Sequence, residues 1–465
     1  MMTLSSYKTR AFDIIDKALK ACKRYGADEA SVSVSGGRSG LTRFAGNHII
    51  QNVESEKHLL TLAVSIGGRE AGLKTSVLSD ESIDQAVREA VKMASMYPIN
   101  PEHISPIKPV DIPESNSYDP DTADFSQMEK AKKIKEVCAK TKAKNLLAFG
   151  TLTTDWKYEA FGNSNDHRCW HPETMADFSV TIRTEKGDGS CRETRSSTRI
   201  KEIEFDRLVD QCCDWAQWSA KADYIEPGDY KVILTPTAAM NYLVNILFAM
   251  DARKVAEGRS ALSNYYQSTD LIGKKLFSPL ITVSSRKQHP EIPTATYGSA
   301  FDLDFGGQSM TAGLFARGLP VEDYPIIDRG TLKHLFSSLY WAQKNNLQPK
   351  AFPTLIEFSG TDKSTEQLIA ETSNAILINS FWYIRFVDPN KLLITGLTRD
   401  GIFLVRDGKI VKPLKNMRFN ESPIFSLENV EQVGRSELRR AWFYDLLIPP
   451  MVINEFSFTS ETAAV

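Results

Sequence analysis

The 465-residue chain carries only six cysteines, two of them adjacent at Cys212 and Cys213. That is too few and too irregular for the disulfide framework of a small secreted protein, so reduced thiols are expected. No apolar run reaches the roughly 18 to 20 residues a membrane helix needs; the stretch Tyr242 to Met250 is short and interrupted by Asn245. Positive charge is not in excess either. The 56 Lys plus Arg against 58 Asp plus Glu leave a formal charge of -2, which removes the usual electrostatic argument for nucleic-acid binding. The N-terminal segment has no apolar leader core and alternates at helical spacing, so a cytoplasmic protein is expected. The sequence contains no GxSxG elbow, no Gly-rich GKS or GKT loop, no CxxC and no HExxH. Each absence removes a standard nucleophile, phosphate cradle, redox pair or zinc helix.

What is present is an ordinary folded composition, 42% hydrophobic and 25% charged with both signs interspersed, long enough for two or three domains. Ala11, Phe12, Ile15, Ala18, Leu19 and Cys22 recur at helical spacing, with Ser5 or Ser6 as N-cap and Gly26 beyond the end. Period-2 segments follow at Ala30 to Val34, Ile49 to Val53 and Leu59 to Ile66, with Gly36-Gly37 and Gly67-Gly68 read as terminators of an antiparallel meander. A helix is expected over Ser82 to Met96, then a proline-rich extended connection from Pro98 to Pro120. The segment Met128 to Ala139 reads as a helix whose lysines form a solvated face. Alternation returns from Leu146 to Ser197, and Phe205, Leu208, Val209, Cys212, Trp215 and Ala216 make a further amphipathic helix with Cys212 on its core side.

The turn signal Glu226-Pro227-Gly228-Asp229 is taken as the main boundary. The expectation is an α+β protein of two domains. Residues 1-225 form an antiparallel sheet with helices, and residues 226-465 form a β-barrel-like domain with packed helices. In the second half a helix is expected over Pro236 to Met250, a strand near Pro279 to Val283 and a helix near Leu339 to Asn345. Short strands then follow at Leu355 to Phe358, Ala375 to Asn379, Trp382 to Val387, Leu392 to Thr395, Ile402 to Val405 and Lys409 to Val411.

Three groups of residues have chemistry to offer. His167, Cys169 and His171 share one face of an extended strand and are of zinc-ligand type, although about 6 to 7 Å separates alternate side chains along a strand. Asp302 and Asp304 in SAFDLDFGGQS also share a face, and Asp beside Gly-Gly equally suits a turn. Arg385, Asp388, Arg399 and Asp400 lie among the aromatics Phe381, Trp382, Tyr383 and Phe386, a mixture that suits either an ion-pair network or a peptide groove.

The order of several segments resembles the TldD/PmbA family, historically called modulators of DNA gyrase and now regarded as peptidases. These segments are GADEASVSVSGGRSGLTRFAGNHIIQN, FGNSN at 161 to 165, KVILTPTAA at 231 to 239, SAFDLDFGG at 299 to 307, IIDRGTLKHL at 326 to 335, FSGTDKSTEQLIAETSNAILINS at 358 to 380 and TGLTRDGIFLVRDGKIVKPL at 395 to 414. The resemblance implies a two-domain cytoplasmic protein, usually dimeric. It also implies peptide hydrolysis by zinc held on an HExxxH helix and a Cys near the C-terminus, with metal-activated water attacking the carbonyl.

This chain departs from that apparatus. The segment TPTAAMNYLVNILFAMD contains no His, and no Cys follows Cys213. The resemblance therefore implies a PmbA (TldE)-like member without catalytic residues or cofactor, inactive alone, which holds an unfolded or extended peptide as a homodimer or beside a TldD-type subunit. Phe301, Asp302, Thr395, Gly396, Arg399 and Asp400 are the expected peptide-binding residues. The alternatives are a zinc peptidase with relocated ligands at His167, Cys169 and His171, and a DNA-associated regulator.

Overall fold

A computed structural model describes residues 3–289, 292–300, 310–440 and 445–462 of the chain. The first helix, α1 (Leu4–Arg24), begins earlier than expected, because the Thr3 side chain, ahead of Ser5 and Ser6, accepts the Ser6 N–H as the cap. After it come β1 (Glu29–Ala45), β2 (His48–Ile66) and β3 (Arg69–Thr75), then α2 (Asp80–Met96), capped by Ser79 with Asp80 and Glu81 in its first turn. Next are α3 (Gln127–Ala143), β4 (Leu146–Asn163), β5 (Arg168–Thr184), β6 (Ser190–Ser197) and α4 (Phe205–Ser219).

The six strands form one antiparallel sheet in the order β3-β2-β1-β4-β5-β6. The meander is thus right in type, but the Gly36-Gly37 terminator is not. Strand β1 runs straight through both glycines, opposite Tyr158 and Lys157 of β4. A Cβ at Gly36 would meet the His58 and Tyr158 side chains, and one at Gly37, with φ of +147°, would stand 2.1 Å from the Trp156 carbonyl oxygen. Close approach, not a turn, demands these glycines.

Period-2 alternation gives this sheet two unlike faces. Val32, Val34, Leu60, Leu62, Tyr158 and Ala160 point to α1 and α2, whose Ile15, Ala18, Val87 and Ala90 complete one core. Leu152, Phe178, Val180 and Ile182 point to α3 and α4, which supply Ile134, Val137, Leu208, Val209 and Cys212. Each such aliphatic side chain stabilises the fold by about 1.5–3 kcal/mol when buried. The opposite face carries Ser35, Ser39, Asp155, Lys157, Glu159, His171 and Glu173. One lysine of α3 departs from the solvated-face expectation. Lys130 is 1% exposed, and its ammonium donates to the Phe125 carbonyl at 2.6 Å and to Thr154 Oγ1 at 2.7 Å.

In the second half β7 (Gly228–Leu234) leads into α5 (Pro236–Leu243), a proline-started helix capped by Thr235. The expected helix to Met250 stops short: Val244–Ala249 is 3-10. The strand expected near Pro279 lies at Val283–Ser285, since the Ile281 N–H closes a turn on the Ser278 carbonyl. The paired segments expected at 375 to 379 and 382 to 387 are one strand, β8 (Asn374–Asp388). Those at 392 to 395 and 402 to 405 are likewise one, β9 (Leu393–Arg406). With β10 (Met417–Glu421) and β11 (Met451–Glu461) they close a five-strand barrel: β8 pairs β7, β7 pairs β11, β11 pairs β10, β10 pairs β9 and β9 returns to β8. Tyr242 of α5 packs on Phe381, Phe419 and Phe456, and its hydroxyl meets Ser426 Oγ at 2.8 Å. Among the described residues no helix is long and apolar enough to cross a membrane.

Candidate functional site

The polar face of the first sheet is the floor of a cleft of 1480 Å³, roofed by Tyr297–Ser299, Arg317, Phe352–Thr354 and Arg440. Strand register sets its rows. His171 of β5 lies opposite Glu159 of β4, which lies opposite Ser35 of β1; Glu173, Lys157 and Gly37 make the next row, and Met175, Asp155 and Ser39 the third. The β1 column is therefore a shallow trough of Ser35, Gly37 and Ser39, walled by side chains that alternate in charge along β4.

Glu159 organises one end. Its carboxylate accepts the Ser33 hydroxyl at 2.7 Å and pairs with the Arg317 guanidinium, while its backbone carbonyl accepts the Tyr297 hydroxyl at 3.3 Å. His171 Nε2 stands 3.7 Å from Glu173 Oε2, and its ring lies edge-on to Tyr297 at 6.4 Å. Burial alone would raise the Glu173 carboxyl, but His171, Arg440 and Lys157 outweigh it and bring it down to about 2, so Glu173 is a carboxylate. Asp177 moves the other way because burial dominates the Ser196 hydrogen bond and the nearby arginines. Arg440 lies 3.2 Å from Asp445, which burial pushes up to about 6 against the pull of that arginine.

Among the described residues, four buried polar atoms in this region have no hydrogen-bond partner: His171 Nδ1, His171 Nε2, Arg317 Nε and Asp155 Oδ1. Buried groups of this kind each cost about 1–3 kcal/mol unless something in the cleft meets them.

Phe301, Asp302 and Asp304 lie outside the described residues. Thr395, Gly396, Arg399 and Asp400 share β9, and none of them lines the cleft. Thr395 donates its hydroxyl to the Phe419 carbonyl at 2.8 Å, and a Cβ at Gly396 would stand 2.7 Å from the Phe419 ring. The Arg399 guanidinium covers the Trp382 ring at 4.8 Å, with its Nε 3.7 Å from Asp400 Oδ2.

His167, Cys169 and His171 do not converge as zinc ligands; no group of three metal-type side chains assembles among the described residues. His167 accepts the Val110 N–H at Nδ1, 3.5 Å away, so its proton is on Nε2, which donates to the Gly318 carbonyl at 2.9 Å. Cys169 touches His167 Nε2 at 3.1 Å, and burial pushes its thiol up to about 12, far from a thiolate. Only His171 reaches the cleft. On α5 and the 3-10 turn after it, Leu243, Val244, Ile246 and Leu247 are buried in the apolar core, and the Asn245 amide donates to the Tyr242 carbonyl. These residue types do not fit zinc.

Sequence reasoning missed Lys157, Glu159, Glu173, Tyr297 and Arg317. The signal for the β4 part was the odd-position polarity of DWKYEAF at 155 to 161, but the two roof residues carry no local signal.

The PmbA/TldA metallopeptidase C-terminal domain model matches residues 227–460. Among solved structures the chain is similar to TldE from Thermococcus kodakarensis, with a TM-score of 0.83 and 15% identity over 96% of this chain and 100% of that chain. It is also similar to a proposed DNA gyrase modulator from Bacteroides thetaiotaomicron, with a TM-score of 0.81 and 16% identity over 99% of this chain and 100% of that one. A third, of the same description, from Thermotoga maritima, has a TM-score of 0.78 and 14% identity over 96% and 100%. No curated protein matches in sequence. At such identities the structural likeness is one of fold.

Proposed function

Because the chain belongs to the PmbA/TldD family, we propose that it is a metal-free, PmbA/TldE-like member that holds an unfolded or extended peptide and works beside a TldD-type catalytic subunit. The observation that carries this reading is the cleft. At 1480 Å³ it exceeds the roughly 300–1,000 Å³ of a small-molecule pocket, and its floor is a polar sheet face on which, among the described residues, no three metal-type side chains converge. Strand β2 adds to it. Strand β3 pairs only Leu60–Ile66, so the length of β2 before Leu60 has one strand neighbour, and Ser55 to Leu59 of that length border the cleft. Main-chain groups presented in this way bind extended peptides with little sequence selectivity.

We place the peptide in the cleft rather than along β9, because the Thr395 hydroxyl and the Gly396 face are already taken up by Phe419. Arg399 and Asp400 would then act on the barrel side only. Partner binding has its own support. Strand β8 pairs β7 only at Ile376–Ile378, and its continuation exposes Trp382, Tyr383, Phe386 and Val387, an apolar group of the kind that marks protein contacts. Division of labour between 1-225 and 226-465 is part of the same proposal, with the floor from the first unit and the roof from the second. The charge of -2 offers nothing to DNA.

The test is purification followed by elemental analysis and peptide assays, with and without a TldD-type partner. Expected are less than stoichiometric zinc, no cleavage by the chain alone and binding of a fluorescent unfolded peptide. One zinc per chain that survives mild chelation, or cleavage by the chain alone, would overturn the reading.

A further inference from the structure

We propose that His171 is the anchor for the main chain of the bound peptide, an inference that rests on the cleft reading above. His171 is 7% exposed, yet among the described residues neither ring nitrogen has a partner within hydrogen-bond distance. Three other imidazoles around this sheet are spent on the protein, and His48 is exposed at the start of β2. His58 meets Tyr158 at 3.1 Å and Glu56 at 3.0 Å, His103 meets Glu70 at 2.5 Å and Glu29 at 2.8 Å, and His167 meets Gly318. His171 alone of these combines burial and a place on the cleft floor with a ring nitrogen, Nδ1, that meets no group among the described residues, while its Nε2 faces the Glu173 carboxylate at 3.7 Å. Its ring lies edge-on to Tyr297 at 6.4 Å, with Nε2 turned toward Glu173.

The type of ligand follows from the groups left unpaired. The imidazole offers its ring nitrogens; Arg317 Nε adds a donor and Asp155 Oδ1 an acceptor. A phosphate would call for donors only, and a metal cation for acceptors only. A mixed set suits peptide units, each of which carries one N–H and one C=O. The Ser35-Gly37-Ser39 trough, across β4 from His171, supplies the path, because no bulky side chain there keeps an extended chain off the sheet, and residues of such a chain repeat every two at about 6 to 7 Å, like Ser35, Gly37 and Ser39 beneath.

The experiment measures binding of a fluorescein-labelled unfolded peptide by anisotropy to wild type, His171→Leu and His171→Gln, with and without a TldD-type partner. His171→Leu weakens binding by roughly tenfold, whereas His171→Gln, which keeps a donor and an acceptor, stays within about threefold. A peptide with N-methylated backbone amides binds wild type roughly tenfold more weakly and loses nothing further on His171→Leu. If His171→Leu fails to fold, the N-methylated peptide and His171→Gln decide. Wild-type affinity in His171→Leu, indifference to N-methylation, or displacement of the peptide by millimolar inorganic phosphate would overturn the anchor and leave the peptide reading standing. Absence of wild-type binding in both arms would remove the peptide reading itself.

Discussion

Glu159 and Arg317, 158 positions apart in the chain, pair across the cleft and join the sheet floor to the roof. Burial works against the guanidinium's charge, but Glu159 and Tyr297 overcome it and hold Arg317 above its ordinary value. The pair also leaves Arg317 Nε unspent, so one arginine both closes the roof and offers a donor to whatever lies beneath.

Glu159→Gln should cost about 1–3 kcal/mol in urea denaturation, because a partly buried guanidinium loses its counter-charge. The coupling between Glu159→Gln and Arg317→Met is read in a double-mutant cycle. Additive losses would mean that the two side chains act independently.

Lys130 predicts a pH effect. Burial lowers its ammonium from 10.5 to about 8. Between those values the unfolded chain binds more protons than the folded one, so this group makes stability rise as pH climbs from 8 toward 10.5, by at most roughly 3 kcal/mol. Lys130→Met should abolish that rise. The check is the difference in urea midpoint between wild type and variant at pH 7.5 and pH 10, a comparison that cancels the opposing contribution of buried tyrosines.

Gly37→Ala should destabilise by about 2–4 kcal/mol, since its Cβ would collide with a backbone oxygen at a φ that side chains rarely adopt. Thermal melting reads the loss. Gly26→Ala, where nothing lies within 4 Å of the added carbon, is the control for positive φ alone.

Self-association should depend on the exposed part of β8. Light scattering of wild type should give about twice the 52.1 kDa chain mass, and Phe386→Lys with Val387→Lys should return it to one chain with an unchanged melting temperature. A wild type that is one chain at micromolar concentration would argue against this surface in homodimers and leave the TldD-type partner to be tried.

The sheet was legible wherever alternation carried it. Val32 and Val34 on one side and Ser33 and Ser35 on the other announce a strand with a core face and a polar face. The same reading failed at Gly36-Gly37, because glycine signals a turn locally, while the need here comes from His58, Tyr158 and the Trp156 carbonyl, which reach the site only after the sheet has assembled. The helix from Pro236 was right only as far as Leu243, because the mostly apolar run from Leu243 to Phe248, broken by Asn245 alone, does not tell α from 3-10. The site was legible only in part. His171 was singled out, but for a zinc role that required His167 and Cys169 to turn toward it. The Gly318 carbonyl, 151 positions away from His167, holds that ring instead.

The barrel has a consequence for the order in which the molecule can be made. Its seam joins β7 to β11, partners more than two hundred positions apart. On the ribosome, the first sheet and the helices α1 to α4 are complete once Ser219 has emerged, but β7 must wait, with both edges unpaired until β8 is made and one edge unpaired until Met451–Glu461 is synthesised. At about 5–20 residues per second that wait lasts on the order of ten seconds or more. Val232, Ile233 and Leu234, fully buried in the finished protein, are without their β11 partners throughout it. Synthesis speed and chaperone supply, rather than final stability, should therefore govern the yield of folded protein.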